Sequence, residues 1–215
     1  MNKQEVIVIL GTAHLITTPG KRSPDGRLRE PFYSREIVNR VEAELRRRGY
    51  VVMVDYRPME PSADMKSSAW MTEMNRELNH RVSFVNGVCS KNGAGKCLYV
   101  SIHVNAAGNG EKWLDARGFS VYVYTGASQK SRKLAQLLYD EAEKLGLQGN
   151  RWVPEERYWK ANYKVLKETS CPAVLTENLF QDNREDVDYL LSDEGKEAIT
   201  KLHVQGIERY VSEVL

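Results

Sequence analysis

The 215-residue sequence predicts an α/β fold: a mostly parallel, twisted sheet of about five to six strands with helices on both faces. Three observations carry that prediction. Short runs rich in Val, Ile and Leu, at Val6 to Leu10, Val51 to Val54, Leu98 to Ile102 and Pro172 to Thr176, have the length and residue types of buried strands. Between them lie longer stretches with apolar residues at helical spacing. A content of 41% hydrophobic residues suffices for a substantial core, with no linker, internal repeat or low-complexity tract, so residues 1–215 are expected to form one domain.

The elements follow in order. Val6-Ile7-Val8-Ile9-Leu10 makes the first strand; it is too short for a signal-peptide core or a membrane span, so no export signal is expected. The loop from Gly11 to about Arg29 is long for a compact domain, and such loops are usually functional or disordered. In "EPFYSREIVNRVEAELRRRGY", Pro31 suits a first helical position, Ile37, Val38, Val41 and Leu45 recur at helical spacing, and Gly49 closes the helix. Val51 to Val54 is the second strand. A second helix from about Met71 to Ser90 carries Met71, Met74, Leu78, Val82 and Val85 on one stripe. After the strand leading to His103, Gly118 to Tyr124 sets Phe119, Val121 and Val123 against Ser120, Tyr122 and Tyr124. That alternation predicts one wetter face and a place at the sheet edge. A third helix spans about Ser128 to Leu145 and stops at Gly146. Gln148 to Lys160 has no clean period and reads as a surface loop. After the last strand, a helix from about Asp193 turns Ile199, Leu202, Ile207 and Tyr210 inward.

Composition excludes several classes. A formal charge of +2, from 31 basic and 29 acidic residues, supplies no field that argues for nucleic acid. Cys89, Cys97 and Cys171 are odd in number and contain no C-x-x-C pair, so neither a disulfide framework nor a cysteine metal site is expected. "PGKR" and "GAGKC" lack the leading glycine of a phosphate loop, and Lys21 and Lys96 are followed by Arg22 and Cys97 rather than Ser or Thr.

In a parallel sheet, ligands bind beyond the carboxyl ends of the strands. Four chemistry-bearing residues reach that edge: His14 after the first strand, Glu30 at the start of the helix that follows, His103 after the third strand and Glu177 after the last. Glu36 is the competing carboxylate, but it lies a turn or more inside its helix. Two imidazoles and one carboxylate suit zinc with a fourth position open to water, and a further carboxylate nearby suits a general base. His80 points away from the apolar stripe and reads as a surface residue, while His203 reads as structural. Lys21, Arg22, Arg27 and Arg29 are either a solvated run or contacts for substrate carboxylates. Tyr158, Trp159 and Tyr163 line a groove or pin their loop to the core.

"SIHVNA" at Ser101 to Ala106 and "PAVLTENLFQDNRED" at Pro172 to Asp186 resemble segments of the zinc-dependent N-acetylmuramoyl-L-alanine amidases of the single-domain autolysin and phage endolysin type. Glu30 at its helix start, "LNHRVSFVN" at Leu78 to Asn86 and "GIERY" at Gly206 to Tyr210 are also similar, so the likeness covers nearly the whole chain. It implies one Zn²⁺ per chain held by His14, Glu30 and His103, with Glu177 as catalytic base. The activity it implies is hydrolysis of the amide between N-acetylmuramic acid and L-alanine in peptidoglycan. Asn105, Arg22 and Arg27 are then the expected substrate-binding residues. The family's first ligand stands in a glycine-rich context, whereas here it stands in "GTAHLITTPG". A peptidase cutting within the stem peptide would use the same chemistry, and a non-catalytic peptidoglycan-binding module would lack a ligand or the base. The expected protein has no separate wall-binding domain, is a monomer without nucleic-acid partner or stable membrane association, and acts at the bacterial cell wall.

Overall fold

The computed structural model describes residues 2–215. In chain order the main elements are β1 (Ile7–Thr12), α1 (Glu30–Arg47), β2 (Val51–Val54), α2 (Trp70–Asn92), β3 (Cys97–Asn105), β4 (Ser120–Val123), α3 (Gln129–Lys144), β5 (Trp159–Lys160), α4 (Lys164–Lys167), β6 (Ala173–Phe180), α5 (Arg184–Leu191) and α6 (Asp193–Val214). The six strands form one sheet in the order β2-β1-β3-β6-β4-β5. β2, β1, β3 and β6 run parallel, and β4 joins β6 antiparallel with β5 parallel to itself. The expected mostly parallel sheet is therefore present.

Helices cover both faces. On one, Val8, Leu10, Val100, Ile102 and Val174 pack against α1, α3, α5 and α6. On the other, Ile7, Ile9, Tyr99 and Leu175 pack against Val82 and Val85 of α2 and Val165 and Leu166 of α4. Cys89, Cys97 and Cys171 are free thiols in that second core. Among the described residues, no helix is long and apolar enough to cross a membrane.

Local signals explain most boundaries. Gly49, at φ +92°, ends α1 while the Tyr50 N–H bonds the Leu45 carbonyl (3.0 Å). Ser128 and Ser192 cap α3 and α6 by accepting the N–H groups of Ser131 (3.1 Å) and Gly195 (2.9 Å).

Elsewhere the expectations are corrected. β3 and β6 run several residues past Ile102 and Thr176, so His103 and Glu177 lie within strands, whose ladder continues while neighbours supply partners. β4 is not the edge: it sits between β6 and the two-residue β5, which lies inside the stretch expected to be loop. Ser120, expected on a wetter face, is 1% exposed. On α2 the stripe begins later than expected. Met71 is exposed, and the inward positions of the first turns are Glu73, Glu77 and Arg81, because they form ion pairs and hydrogen bonds there. α4 and α5 are too short to show a period in the sequence.

Candidate metal centre

β3 and β6 place two of the site residues by register alone. His103 and Glu177 are lateral partners on adjacent parallel strands, so their side chains leave the same face. Just beyond, the register shifts by one residue, from His103 opposite Glu177 to Asn105 opposite Phe180. Leu179 absorbs the extra residue at φ +63°, a left-handed conformation that a leucine rarely adopts. Such a bulge ends regular pairing beside the site and aims the strand ends.

Glu30 enters from the first turn of α1. It is 1% exposed, and its Oε1 lies 3.0 Å from His103 Nδ1 and accepts the Val104 N–H (3.2 Å). The other ring nitrogen of His103, Nε2, meets Ser101 Oγ at 3.1 Å, a partner that orients the imidazole. His14 Nε2 stands 3.7 Å from Glu30 Oε2, and the two imidazoles meet edge-on with centroids 5.1 Å apart. One donor atom from each of His14, Glu30 and His103 lies within 4.8 Å of the others.

This set fits a divalent metal on its own terms. Glu30 Oε2 is buried with no hydrogen-bond partner, an arrangement that costs free energy unless something electropositive completes it. Burial pushes the His14 pKa well below the usual histidine range, leaving its lone pair free. Burial would raise Glu30, but a hydrogen bond from His103 and the Lys21 ammonium outweigh it and hold the carboxyl below its ordinary range. An imidazole with its lone pair free beside an ionised carboxylate suits zinc.

Glu177 differs. Burial, then the charge of Glu30, push its carboxyl well above the ordinary range, and its Oε2 has no hydrogen-bond partner. Two carboxylates in one pocket are thus driven apart, one ionised and one ready to hold a proton. Both histidines and Glu177 line a cavity of about 330 Å³ that is walled by Met74 and Leu78 of α2 and by Tyr163, Lys164 and Val165.

His14 is held without a glycine-rich loop. Its backbone has φ +39°, and the buried guanidinium of Arg35 bonds the carbonyls of Ala13 (2.9 Å) and His14 (3.0 Å) as well as those of Pro31, Arg57 and Pro58. Ser34 Oγ accepts the Ala13 N–H (2.8 Å) and donates to the Ile102 carbonyl (2.6 Å). Burial, reinforced by the charge of Arg81, pushes Arg35 down to about 10.

The other sequence candidates separate. Glu36 pairs with Arg40 (3.1 Å) and Lys196 (3.0 Å) on the outer side of α1, away from the centre. Arg27 is held by Asp25 (2.7 Å) and Asp188 (2.8 Å), and neither it, Arg22 nor Asn105 lines the cavity; from that basic run Lys21 does. Asn105 instead reaches Ser120 Oγ (3.4 Å) and the Ala106 N–H (2.9 Å). Tyr163 lines the cavity, whereas Tyr158 is buried and Trp159 packs on Tyr122 and Tyr139. His80 is exposed against Tyr56, and His203 is buried between the Ile199 carbonyl (2.7 Å) and Thr176 Oγ1 (2.9 Å), as expected.

Sequence reasoning missed the support beneath the centre. Arg81 is buried between Asp55 (2.6 Å) and Glu77 (2.7 Å) and donates to Thr12 Oγ1 (3.0 Å), while the Tyr99 hydroxyl donates to Asp55 (2.8 Å). Glu77 and Arg81 stand at i and i+4, a spacing that reads in sequence as a solvated pair. Asp55, directly after an apolar strand, was the available signal.

Known proteins resemble this chain in sequence and fold. Over 136 residues it is 30% identical to N-acetylmuramoyl-L-alanine amidase CwlM of Bacillus licheniformis, covering 63% of this chain and 49% of that one. Over 122 residues it is 34% identical to the endolysin of Bacillus phage SPP1, covering 54% of this chain and 41% of the endolysin. The matched part thus spans less than half of either relative. The crystal structure of an N-acetylmuramoyl-L-alanine amidase from Clostridium difficile 630 superposes with a TM-score of 0.78 at 19% identity, over 100% of both chains. The CwlD amidase of Clostridioides difficile, solved with the GerS lipoprotein, superposes at 0.76 with 19% identity, over 96% of this chain and 98% of that one. These two share the fold. The sequence model of the N-acetylmuramoyl-L-alanine amidase family matches residues 8–209, a span that includes His14, Glu30, His103 and Glu177, and the chain belongs to that family.

Proposed function

We propose that this chain hydrolyses the amide between N-acetylmuramic acid and L-alanine in peptidoglycan, with one zinc ion held by His14, Glu30 and His103 and with Glu177 as general base. The observation that carries this reading is the convergence of three metal-ligating atoms within 4.8 Å beside a buried, unpartnered Glu177 oxygen. The family and the names of its relatives supply the substrate class.

Zinc bound there would polarise the scissile carbonyl and make a water molecule nucleophilic near neutral pH. The chain's own groups do the rest. Ser101 holds the His103 ring through Nε2 and leaves Nδ1 directed toward Glu30, Arg35 holds the backbone of His14, and the apolar wall from α2 and Val165 limits water. Glu177 takes a proton from the attacking water and gives it to the departing amine nitrogen. The protein's place of action under this reading is the bacterial cell wall.

The test is mass spectrometry of soluble products after zinc-loaded protein has acted on purified peptidoglycan, with Glu177→Ala as control. Free stem peptides beginning at L-alanine, beside intact glycan strands and absent from the control, are expected. Shortened peptides still attached to muramic acid would make the protein a stem-peptide peptidase, and zinc binding without any product would make it a binding module.

A further inference from the structure

Amide hydrolysis builds negative charge on the carbonyl oxygen, and the cavity holds a cation that is neither a candidate ligand nor the base. Lys21 lines the cavity with His14, His103 and Glu177, its Nζ 3.7 Å from Glu30 Oε2. Its backbone is pinned. The Lys21 carbonyl accepts the Glu30 N–H (3.0 Å), the Gly20 carbonyl accepts Gln181 Nε2 (2.8 Å), and Arg22 bridges to Arg29 in an antiparallel pair. The side chain therefore leaves from a fixed point, with four carbons of reach and three donors.

The other cavity-lining lysine and arginine pair with carboxylates outside the candidate ligand set. Arg81 is locked between Asp55 and Glu77, and Lys164 stands 3.8 Å from Glu168. Among the described residues lining the cavity, Lys21 alone of the lysines and arginines pairs with a carboxylate that is itself a candidate metal ligand. A carboxylate that coordinates a dication has less charge left to share. Filling the centre would therefore weaken the Lys21–Glu30 pair and free the ammonium for the cavity.

We infer that Lys21 is a further catalytic residue, whose ammonium donates a hydrogen bond to the carbonyl oxygen of the scissile amide and holds the charge growing there. This role rests on the amide-hydrolysing reading above. Lys21 transfers no proton. The water oxygen bonds the carbonyl carbon, the C=O pair moves onto the oxygen beside Lys21, and the water proton goes to Glu177. On collapse the pair returns, the C–N bond breaks, and Glu177 gives the proton to nitrogen. A donor aimed at such an oxygen in a water-poor site is worth about 100- to 1,000-fold in rate.

The experiment compares the wild-type chain with Lys21→Met and Lys21→Arg, measuring zinc affinity by chelator competition and kcat and KM for stem-peptide release. Lys21→Met is expected to lower kcat by about 100- to 1,000-fold, with KM within a few-fold of wild type. Zinc affinity should be equal or tighter, because a cation competing for Glu30 is gone. Lys21→Arg should recover part of kcat. A raised KM with unchanged kcat would assign Lys21 to a substrate carboxylate and overturn the proposal. Zinc affinity falling in step with activity would reduce Lys21 to a support for Glu30 and overturn it equally. A wild type inert on peptidoglycan removes the amide-hydrolysing reading and this role with it, an outcome distinct from an active wild type with a fully active Lys21→Met.

Discussion

The Arg35 guanidinium hydrogen-bonds the carbonyl oxygen of His14 at 3.0 Å and that of Ala13 at 2.9 Å, so a residue of α1 fixes the backbone of a candidate metal ligand that follows β1. Because His14 has positive φ and no glycine beside it, the loop depends on that clamp. Arg35→Met takes the Arg35 donor from the buried Ala13 carbonyl, at about 1–3 kcal/mol, and from the part-buried His14 carbonyl. Zinc affinity should fall by about 10- to 100-fold, as it does when groups supporting metal ligands are removed. Arg35→Lys should recover only part of it, since an ammonium cannot fork among five carbonyls. Chelator competition and thermal melting on the same samples check both effects.

Metal removal should lower the melting temperature, because the ligands are prearranged in the folded state. Zinc at about 100 times its Kd adds about 2.7 kcal/mol through linkage. The shift should vanish in His14→Ala and in Glu30→Gln, and a full zinc-dependent shift in either variant would place the metal elsewhere. Differential scanning calorimetry with and without chelator reads the change.

His203 links stability to pH. Burial pushes its pKa down to about 4, so the folded state keeps it neutral while the unfolded chain takes a proton near the ordinary 6.5. Between those values the unfolded state binds more protons. This group's contribution is therefore complete above pH 6.5 and is lost as pH falls toward 4, by about 3 kcal/mol in all. Denaturant titrations from pH 7.5 to 4 should show a shallower decline for His203→Gln than for wild type, whatever the variant's starting stability. Equal slopes would rule the histidine out as the source.

Gly11 pairs with Ser101 where β1 runs beside β3. A Cβ there would overlap the Tyr99 hydroxyl and stand 2.9 Å from Ser101 Oγ. Tyr99 is fully buried and holds Asp55, so it has little room to yield. Gly11→Ala should cost about 1–3 kcal/mol as overpacking and loosen the Ser101 contact to His103. Chemical denaturation measures the first effect, and the change in zinc affinity measures the second.

The chain's own pattern determined the layered fold, the limits of α1 and α3, the start of α6, and the four residues that reach one sheet edge. Those features rest on local causes. Runs of Val and Ile at strand length, apolar residues three and four apart, and Ser, Pro and Gly at helix ends act within a few residues of themselves. Only the tertiary structure decided which partners those residues meet. Glu177 facing His103 depends on the register of two strands more than seventy residues apart, and a slip of one residue would turn it to the opposite face. Arg35, Arg81 and Glu77 read along the helices as charges for solvent, yet they lie buried because carbonyls and carboxylates from other elements come within hydrogen-bond reach. Burial of a charge is settled by what the folded chain brings to it, and that information is not local to any segment.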